Sequence, residues 1–186
     1  YLNENIKVID LVKMMLIESS NDAAYALRHY AFSQGLNLVS LMNKKAVELG
    51  MNNSIFHEPA GLNDDALSTS GDLIKLVKYS FRLNDLWSML SEKTTKIYSV
   101  DGKIEHNINS TNQLFGIIPD IIGGKTGYTD VALGCMILVV DVPKKNDKLI
   151  SIVLGSTERF TDTEKLIDWV FNNFSWQTIT LPKQDQ

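Results

Sequence analysis

The spacing of apolar residues in the first half of the chain predicts helices. Leu73, Leu76, Val77 and Phe81 follow one another at the i, i+3, i+4, i+8 spacing of one helix face. The same reasoning predicts helices over residues 8–17, 22–32, 38–49, 72–81 and 85–90. Residues 8–17 are apolar on nearly all faces, so we expect that helix to be buried.

Local signals mark where several of these helices begin and end. Ser20 or Asn21 is a candidate N-cap of the second helix and Ser70 of the fourth, because such side chains accept a bond from a free backbone N–H. Gly50 is predicted to end the third helix, because glycine adopts the left-handed conformation at helix ends. Residues 57–63 are a loop by their proline and glycine content.

The pattern changes to strands in the second half. Residues 94–100 and 103–108 flank Asp101-Gly102, which predicts a two-residue hairpin turn. Further strands are predicted over residues 124–129, 133–140 and 149–154, with a turn at 143–147 between the last two. A final helix over 161–174 carries an apolar side made of Leu166, Ile167, Trp169, Val170 and Phe174. Helices, an antiparallel sheet and a covering helix predict an α+β fold.

Length and composition favour one domain. The chain has 186 residues, and we expect a single domain over 1–186, mostly helical over 1–92 and mostly sheet plus the final helix over 93–186. The formal net charge of -4 argues against nucleic acid as a partner. Apolar stretches are too short to span a bilayer.

Few residues suggest metal or thiol chemistry. The single cysteine, Cys135, lies in an apolar run and is expected to be a buried core thiol. His57 and His106 are far apart and lack supporting ligands, so no metal site is predicted. Trp87, Trp169 and Trp176 are expected to be core or core-edge aromatic residues.

Two short polar motifs carry the candidate chemistry. In Lys125-Thr126-Gly127, a charge, a hydroxyl and a glycine on one strand can grip a peptide carboxylate or carbonyl, since glycine lets another backbone come close. Thr129 adds a hydroxyl. In Ser19-Ser20-Asn21, Ser19 can relay a proton and Asn21 can hold an amide. Taken singly, each motif has an explanation in local structure alone: a solvated strand lysine beside a turn glycine for the first, and an N-cap for the second, where the local explanation is favoured.

Together and in this order, the motifs resemble the penicillin-binding protein and serine β-lactamase superfamily, whose signatures are S-x-x-K, S-x-N and K-T-G. Other stretches are similar to the D-alanyl-D-alanine carboxypeptidases of that superfamily. They are residues 10–24, Gly61-Leu62 followed by Ser68-Thr69 and Asp72-Leu73, residues 110–114, residues 124–129, and Gly155 followed by Arg159-Phe160. The resemblance implies a transpeptidase-like α+β fold and a serine-type carboxypeptidase.

The resemblance also implies a role for each matching residue. Ser19 would pass a proton to the leaving D-alanine, Asn21 would bind a substrate amide, and Lys125 would favour developing negative charge. The strand through Thr126, Gly127, Tyr128 and Thr129 would pair with the extended peptide, and the Tyr128 N–H would form half of an oxyanion hole. Arg159 would meet the terminal carboxylate, unless it pairs at the surface with Asp162 or Glu164.

The chain departs from the family pattern at the nucleophile. No serine is followed by lysine three residues later, and Ser91-Glu92-Lys93 has the wrong spacing. In the family, S-x-x-K precedes S-x-N, so we expect the nucleophile, its base and the first strands to lie upstream of Tyr1. The chain alone is then expected to be inactive.

Two alternative functions stay open at this point. The chain could be a non-catalytic fragment or peptide-binding module. It could also be a class A-type β-lactamase, since residues 58–63 nearly spell the loop that carries the deacylating Glu in that class. We prefer the carboxypeptidase interpretation of this loop, in which Glu58 is a structural carboxylate, because Gly61-Leu62 continues into the next helix start.

The resemblance implies partners and a location. Peptidoglycan stem peptides ending in D-Ala-D-Ala and β-lactams are the expected ligands, with no cofactor. The location would be extracytoplasmic, with membrane attachment only through segments outside this chain, and residues 181–183 would precede a further domain. The strand over 149–154 would have an open edge that favours self-association.

Overall fold

Helices occupy the first half of the chain, and strands followed by one helix occupy the second. The structure, a computed structural model, describes residue 1, residues 3–143 and residues 147–177. Its helices are α1 (Val8–Ile17), α2 (Asn21–Ser33), α3 (Leu38–Glu48), α4 (Ser70–Ser80), α5 (Asn84–Leu90) and α6 (Arg159–Asn173). Its strands are β1 (Thr94–Tyr98), β2 (Glu105–Asn109), β3 (Ile121–Thr129), β4 (Leu133–Asp141) and β5 (Lys148–Ser156). The predicted α+β class is confirmed.

The larger sheet is antiparallel, with the strand order β3-β4-β5. Lys125 lies opposite Ile137 in the β3–β4 pair, and Met136 lies opposite Val153 in the β4–β5 pair. Strands β1 and β2 form a separate antiparallel hairpin. The antiparallel pairing of β4 with β5 confirms the prediction, although residues 144–146 of the predicted turn, and residues 181–183, lie outside the described residues.

The larger sheet lies between two helical layers. Because side chains of a strand alternate between its faces, Leu138 and Val140 of β4 pack with Ile167 of α6. Val139, on the opposite face, packs with Val77 of α4 and Trp87 of α5. A separate cluster of Ile17, Ile97 and Ile108 fixes the end of α1 to the β1–β2 hairpin. The sheet is therefore covered on both faces.

The structure confirms two of the helix signals and corrects a third. Ser20 caps α2, because its Oγ accepts a bond from the Ala23 N–H at 3.3 Å. Gly50 follows α3 with a φ of 69°. The cap of α4 is Thr69 and not Ser70, because the Thr69 hydroxyl accepts the Asp72 N–H at 3.2 Å.

The prediction that α1 is buried was wrong. Ile17 at its end is buried, but Ile9 is 50% exposed. The helix contacts α2, α5 and β2, and these neighbours cover only part of its surface.

The apolar side of the last helix was predicted only in part, because Ile167 is buried as predicted but other members of the predicted side are exposed. Thr163 and Ile167 are buried, because α6 turns these residues toward the sheet. Trp169 and Phe174 are 54% and 55% exposed. Their rings pack edge to face, with 5.2 Å between the ring centres. Trp169 is therefore a surface residue, whereas Trp87 is buried as predicted.

Two local predictions in the strands need correction. Cys135 is only half-buried, because it lies near the β3–β4 turn at the end of the sheet. The β1–β2 hairpin has a longer loop than two residues, since the Ser99 N–H bonds to the Ile104 carbonyl at 3.0 Å and residues 100–103 lie between them. Side-chain bonds support this loop: the Ser99 hydroxyl donates to Asp101 and accepts the Ile104 N–H.

The outer edge of β5 is open in the described part of the chain, where β5 pairs only with β4. None of the helices described in the structure has the length and apolar character needed to cross a bilayer.

Candidate active-site cleft

A cleft of about 580 Å³ lies where the helical half meets the sheet. One wall is the α1–α2 junction, the second is β3, and the third is the loop before α4. Polar groups that line the cleft come from Ser19, Ser20, Asn21, Thr111, Lys125, Thr126 and Arg159. Both predicted motifs therefore line the same cavity, although they are about a hundred residues apart in sequence.

Ser19 lies in a tight turn between α1 and α2. Its φ is 63°, a left-handed conformation that costs a non-glycine residue about 1 kcal/mol. The Ser20 N–H bonds to the Met14 carbonyl at 3.1 Å and closes the turn. This turn directs the Ser19 hydroxyl toward β3.

The Lys125 ammonium joins the two motifs. Its Nζ donates to Ser19 Oγ at 2.5 Å and to the Thr126 carbonyl at 2.8 Å. Burial lowers the pKa of Lys125 from 10.5 to about 8, because the charged form loses hydration. The lysine thus stays mostly charged at neutral pH, with a proton that is easier to release than that of an exposed lysine.

Thr111 is a cleft residue to which the sequence analysis gave no role. Its Oγ1 lies 2.5 Å from the Oγ1 of the buried Thr126. The Thr111 N–H bonds to the Ile17 carbonyl at 3.3 Å, which ties this wall to the end of α1. The only signal in the sequence was the position of Thr111 within the family-like stretch 110–114.

Asn21 is the first residue of α2 and is exposed on the cleft wall. Among the described residues its side-chain amide has no hydrogen-bond partner that would occupy it. The amide can therefore offer both its donor and its acceptor to a ligand.

The remaining residues of the β3 motif divide between the cleft and the turn. Gly127 lines the cleft, and a Cβ added there would meet only Cys135 Cβ at 3.7 Å, an ordinary contact. Tyr128 lines the cleft and is exposed. The Thr129 hydroxyl instead accepts the Ala132 N–H at 3.0 Å, and Thr129 lies outside the set of cleft-lining residues.

Arg159 brings a second cation to the cleft. Its guanidinium carbon lies 4.7 Å from the centre of the Phe160 ring and 5.8 Å from that of Tyr128. Its Nε is buried with no partner among the described residues. Asp162, the surface partner considered above, accepts a bond from Ser156 at 2.6 Å, and no ion pair of Arg159 occurs in the described part of the chain.

Glu58 lies on the third wall, with its carboxylate turned into its own loop. Its oxygens accept the N–H groups of Ala60 and Leu62, each at 2.5 Å, and of Asn63 at 3.3 Å. Burial raises the pKa of Glu58, but these N–H groups outweigh that effect and hold the pKa below its ordinary value. A low pKa and occupied oxygens make a poor general base, which argues against a deacylating role.

No cluster of three or more metal-ligating side chains occurs among residues 1, 3–143 and 147–177.

An α+β domain that places a lysine-bound serine in a cleft between its helices and its sheet defines a class, that of the penicillin-binding proteins. A sequence model described as D-alanyl-D-alanine carboxypeptidase matches residues 1–158. The chain belongs to this family.

Curated relatives carry related names. The chain is 29% identical over 187 residues to the D-alanyl-D-alanine carboxypeptidase DacF of Bacillus subtilis, covering 98% of this chain and 47% of that protein. It is 37% identical over 127 residues to a D-alanyl-D-alanine endopeptidase of Haemophilus influenzae, covering 68% of this chain and 43% of that protein. The chain thus spans about half the length of these relatives.

Solved structures agree in fold. A penicillin-binding protein from Listeria monocytogenes, solved in its cefotaxime-bound form, is 36% identical with a TM-score of 0.75, covering 89% of this chain and 66% of that one. A mutant of a Streptomyces DD-transpeptidase is 26% identical with a TM-score of 0.81, covering 90% of this chain and 69% of that one. These neighbours share the predicted transpeptidase-like fold.

Proposed function

We propose that this chain forms the substrate-binding side of a serine-type D-Ala-D-Ala carboxypeptidase that acts on peptidoglycan stem peptides. The observation that carries the proposal is the contact of Lys125 with Ser19 in a cleft that also holds Arg159. Two cations without carboxylate partners in the described residues suit a ligand that brings its own carboxylate.

Each wall has a distinct task in this proposal. Strand β3 pairs with the extended peptide as an added strand, and Gly127, which lines the cleft without a Cβ, leaves room for that backbone. Asn21 holds a substrate amide. Arg159 binds the terminal carboxylate, with Thr126 adding a hydroxyl. The Tyr128 N–H supplies half of an oxyanion hole.

The proton pathway runs through Ser19. A nucleophilic serine from outside these residues gives its proton to its lysine base and attacks the carbonyl carbon of the penultimate D-alanine. The C–N bond breaks, and the leaving amine takes a proton from the Ser19 hydroxyl. The protonated base returns a proton to Ser19, and Lys125, bonded to that hydroxyl, stays charged and holds a positive field on the developing negative charge. Water then hydrolyses the acyl-serine.

The nucleophile and its lysine base would come from sequence outside these 186 residues, since no serine here has lysine three positions later. We therefore expect no turnover by the chain alone. The test compares D-alanine release from diacetyl-lysyl-D-Ala-D-Ala by the 186-residue chain and by a longer protein that includes an S-x-x-K segment. Release by the longer protein only is expected, and the same protein should bind a fluorescent penicillin covalently at a serine.

The two outcomes that oppose this proposal separate the alternatives. If the longer protein neither releases D-alanine nor retains penicillin, the chain is a binding module. If it hydrolyses penicillin rapidly and leaves no stable adduct, the β-lactamase alternative is correct.

Three wider proposals accompany the function. Ligands would include β-lactams, since the Listeria relative was solved with one bound. Action on peptidoglycan would place the protein in the cell envelope, outside the cytoplasm.

The open edge of β5, beside the 40% exposed Leu154, would favour pairing between chains. Sedimentation velocity at rising concentration should show a dimer, and only monomer at high concentration would contradict this pairing.

A further inference from the structure

The third wall of the cleft is a loop fixed at its base. Ile55 and Leu67 pair as an isolated β-bridge, with N–H to carbonyl distances of 2.9 and 3.1 Å. Next to it, the Asn43 side chain holds both backbone groups of Phe56, at 2.9 and 2.7 Å. These bonds fix where the loop leaves the fold, but they do not reach its tip at residues 59–62.

The tip is held by one carboxylate. Glu58 accepts N–H bonds from Ala60, Leu62 and Asn63, so a single side chain orders the turn around Gly61, whose φ is 81°. Hydrogen bonds to an ionised acceptor are about twice as strong as neutral ones. Removing the charge should therefore loosen the tip more than the base.

The surroundings of Glu58 keep it ionised without an ion pair. Tyr25 of α2 faces the carboxylate, and burial together with the Glu58 charge raises the Tyr25 pKa. The positive charge of Arg28, one turn further along α2, opposes this effect and lowers the Tyr25 pKa. Among the described residues, no lysine or arginine forms a salt bridge with Glu58, so the loop N–H groups are its main stabilising partners.

We propose that Glu58 is a positioning residue that holds the loop tip, Pro59 to Leu62, as the wall of the cleft opposite the Lys125 strand. This inference rests on the proposed function, because it assigns the wall to peptide binding. Pro59, Ala60 and Leu62 line the same cavity as Lys125. A loose tip would widen the cleft and cost entropy when a ligand orders it again.

The test compares Glu58→Gln with the wild-type chain. Glutamine keeps one acceptor oxygen and replaces the other with an amide donor. The matched control is Asp64→Asn, which removes the same charge from the same loop but no bond to the tip. Two readouts are taken by NMR: the amide proton shifts of Ala60, Leu62 and Asn63, and the affinity for diacetyl-lysyl-D-Ala-D-Ala from a shift titration.

In the wild type, the three amide shifts should titrate together as Glu58 protonates at acidic pH, and Glu58→Gln should lack that step. Amide exchange at the tip should rise at least about 10-fold and peptide affinity fall about 3- to 10-fold, as expected for one or two lost charge-assisted bonds. Asp64→Asn should leave both unchanged.

Unchanged peptide affinity in a Glu58→Gln chain with a loosened tip would overturn the positioning role. Amide shifts that do not titrate in the wild type would overturn the carboxylate–loop contact, even if the variant fails to fold. A wild-type chain that binds no peptide refutes the proposed function and the positioning role with it. In that case titrating amide shifts still show that the carboxylate–loop contact exists, so the two failures are distinguishable.

Discussion

At the scale of the residue, the cleft contains a buried lysine that has no carboxylate partner among the described residues. Most other lysines with an assigned partner in the described chain pair with an acid, as Lys96 does with Glu105 at 2.7 Å. Lys125 instead contacts a hydroxyl and a carbonyl, and burial lowers its pKa to about 8. Its charge is thus available to a ligand and sensitive to pH near neutrality.

The first prediction concerns the pH dependence of ligand binding. Affinity of the wild-type chain for a carboxylate-terminated peptide should fall as pH rises through about 8, because Lys125 loses its charge there. Lys125→Arg should bind more weakly, since a guanidinium does not reproduce the ammonium contacts. The variant should however show no such step, because arginine stays charged. Titrating each protein with the peptide by NMR at pH values between 6.5 and 9.5 measures the affinity and its pH dependence. An identical fall in the affinity of the variant would show that a group other than Lys125 causes the fall.

The second prediction concerns stability. The folded-state pKa of Lys125 is lowered, so the unfolded chain binds this proton more tightly and the charged form destabilises the fold. The cost is fully present below about pH 8 and disappears as pH rises toward 10.5. Lys125→Met should therefore be more stable than the wild type at pH 7, by about 1–2 kcal/mol after the lost hydrogen bonds are counted.

Urea unfolding of both proteins at pH 7 and at pH 10 checks this sign. The advantage of Lys125→Met should shrink at pH 10. A wild type that is more stable than the variant at pH 7 would show that the hydrogen bonds of Lys125 outweigh its burial.

At the scale of the element, β3 has glycines with opposite functions. A Cβ at Gly124 would lie 2.5 Å from the Ile137 carbonyl oxygen, so this glycine allows β3 to pair with β4. Gly127 has room for a Cβ, and its open side faces the cleft. One glycine is needed by the fold, and the other is available to a ligand.

The third prediction tests this difference. Gly127→Ala should leave the free energy of unfolding within about 1 kcal/mol of the wild type but weaken peptide binding, because the new methyl group faces the approaching backbone. Gly124→Ala is the matched comparison and should lower the midpoint of unfolding, because the backbone of β4 must move. Equal losses of stability in both variants would refute the assignment.

The sequence predicted elements better than it predicted their surroundings. The positions of α2 to α5 and of β4 and β5 followed from the spacing and runs of apolar residues, because these are local properties of the sequence. The exposure of α1 and of Trp169 could not be predicted from the sequence, because it depends on which other helices and strands pack over these residues in the fold. Thr69 capped α4 in place of Ser70, a shift of one residue that apolar spacing cannot resolve.

At the scale of the molecule, the cleft is a product of the whole fold. Ser19 belongs to the helical half, Lys125 to the sheet, and Arg159 to the last helix, so no single element carries the site. The structure brings these three residues to one cavity, and the roles that the resemblance implied for them stay proposals. The Thr111–Thr126 hydroxyl contact and the Glu58 loop bonds were not predicted, because they depend on side-chain positions in three dimensions.

Whether this cleft recognises a D-Ala-D-Ala terminus is tested most directly by titrating the isotope-labelled chain with diacetyl-lysyl-D-Ala-D-Ala and with its D-Ala-L-Ala isomer. Localised shift changes are expected for the D,D peptide at Ser19, Asn21, residues 125–128 and Arg159, with at least about 10-fold weaker binding of the isomer. Equal binding of both peptides, or shift changes away from these residues, would contradict the account.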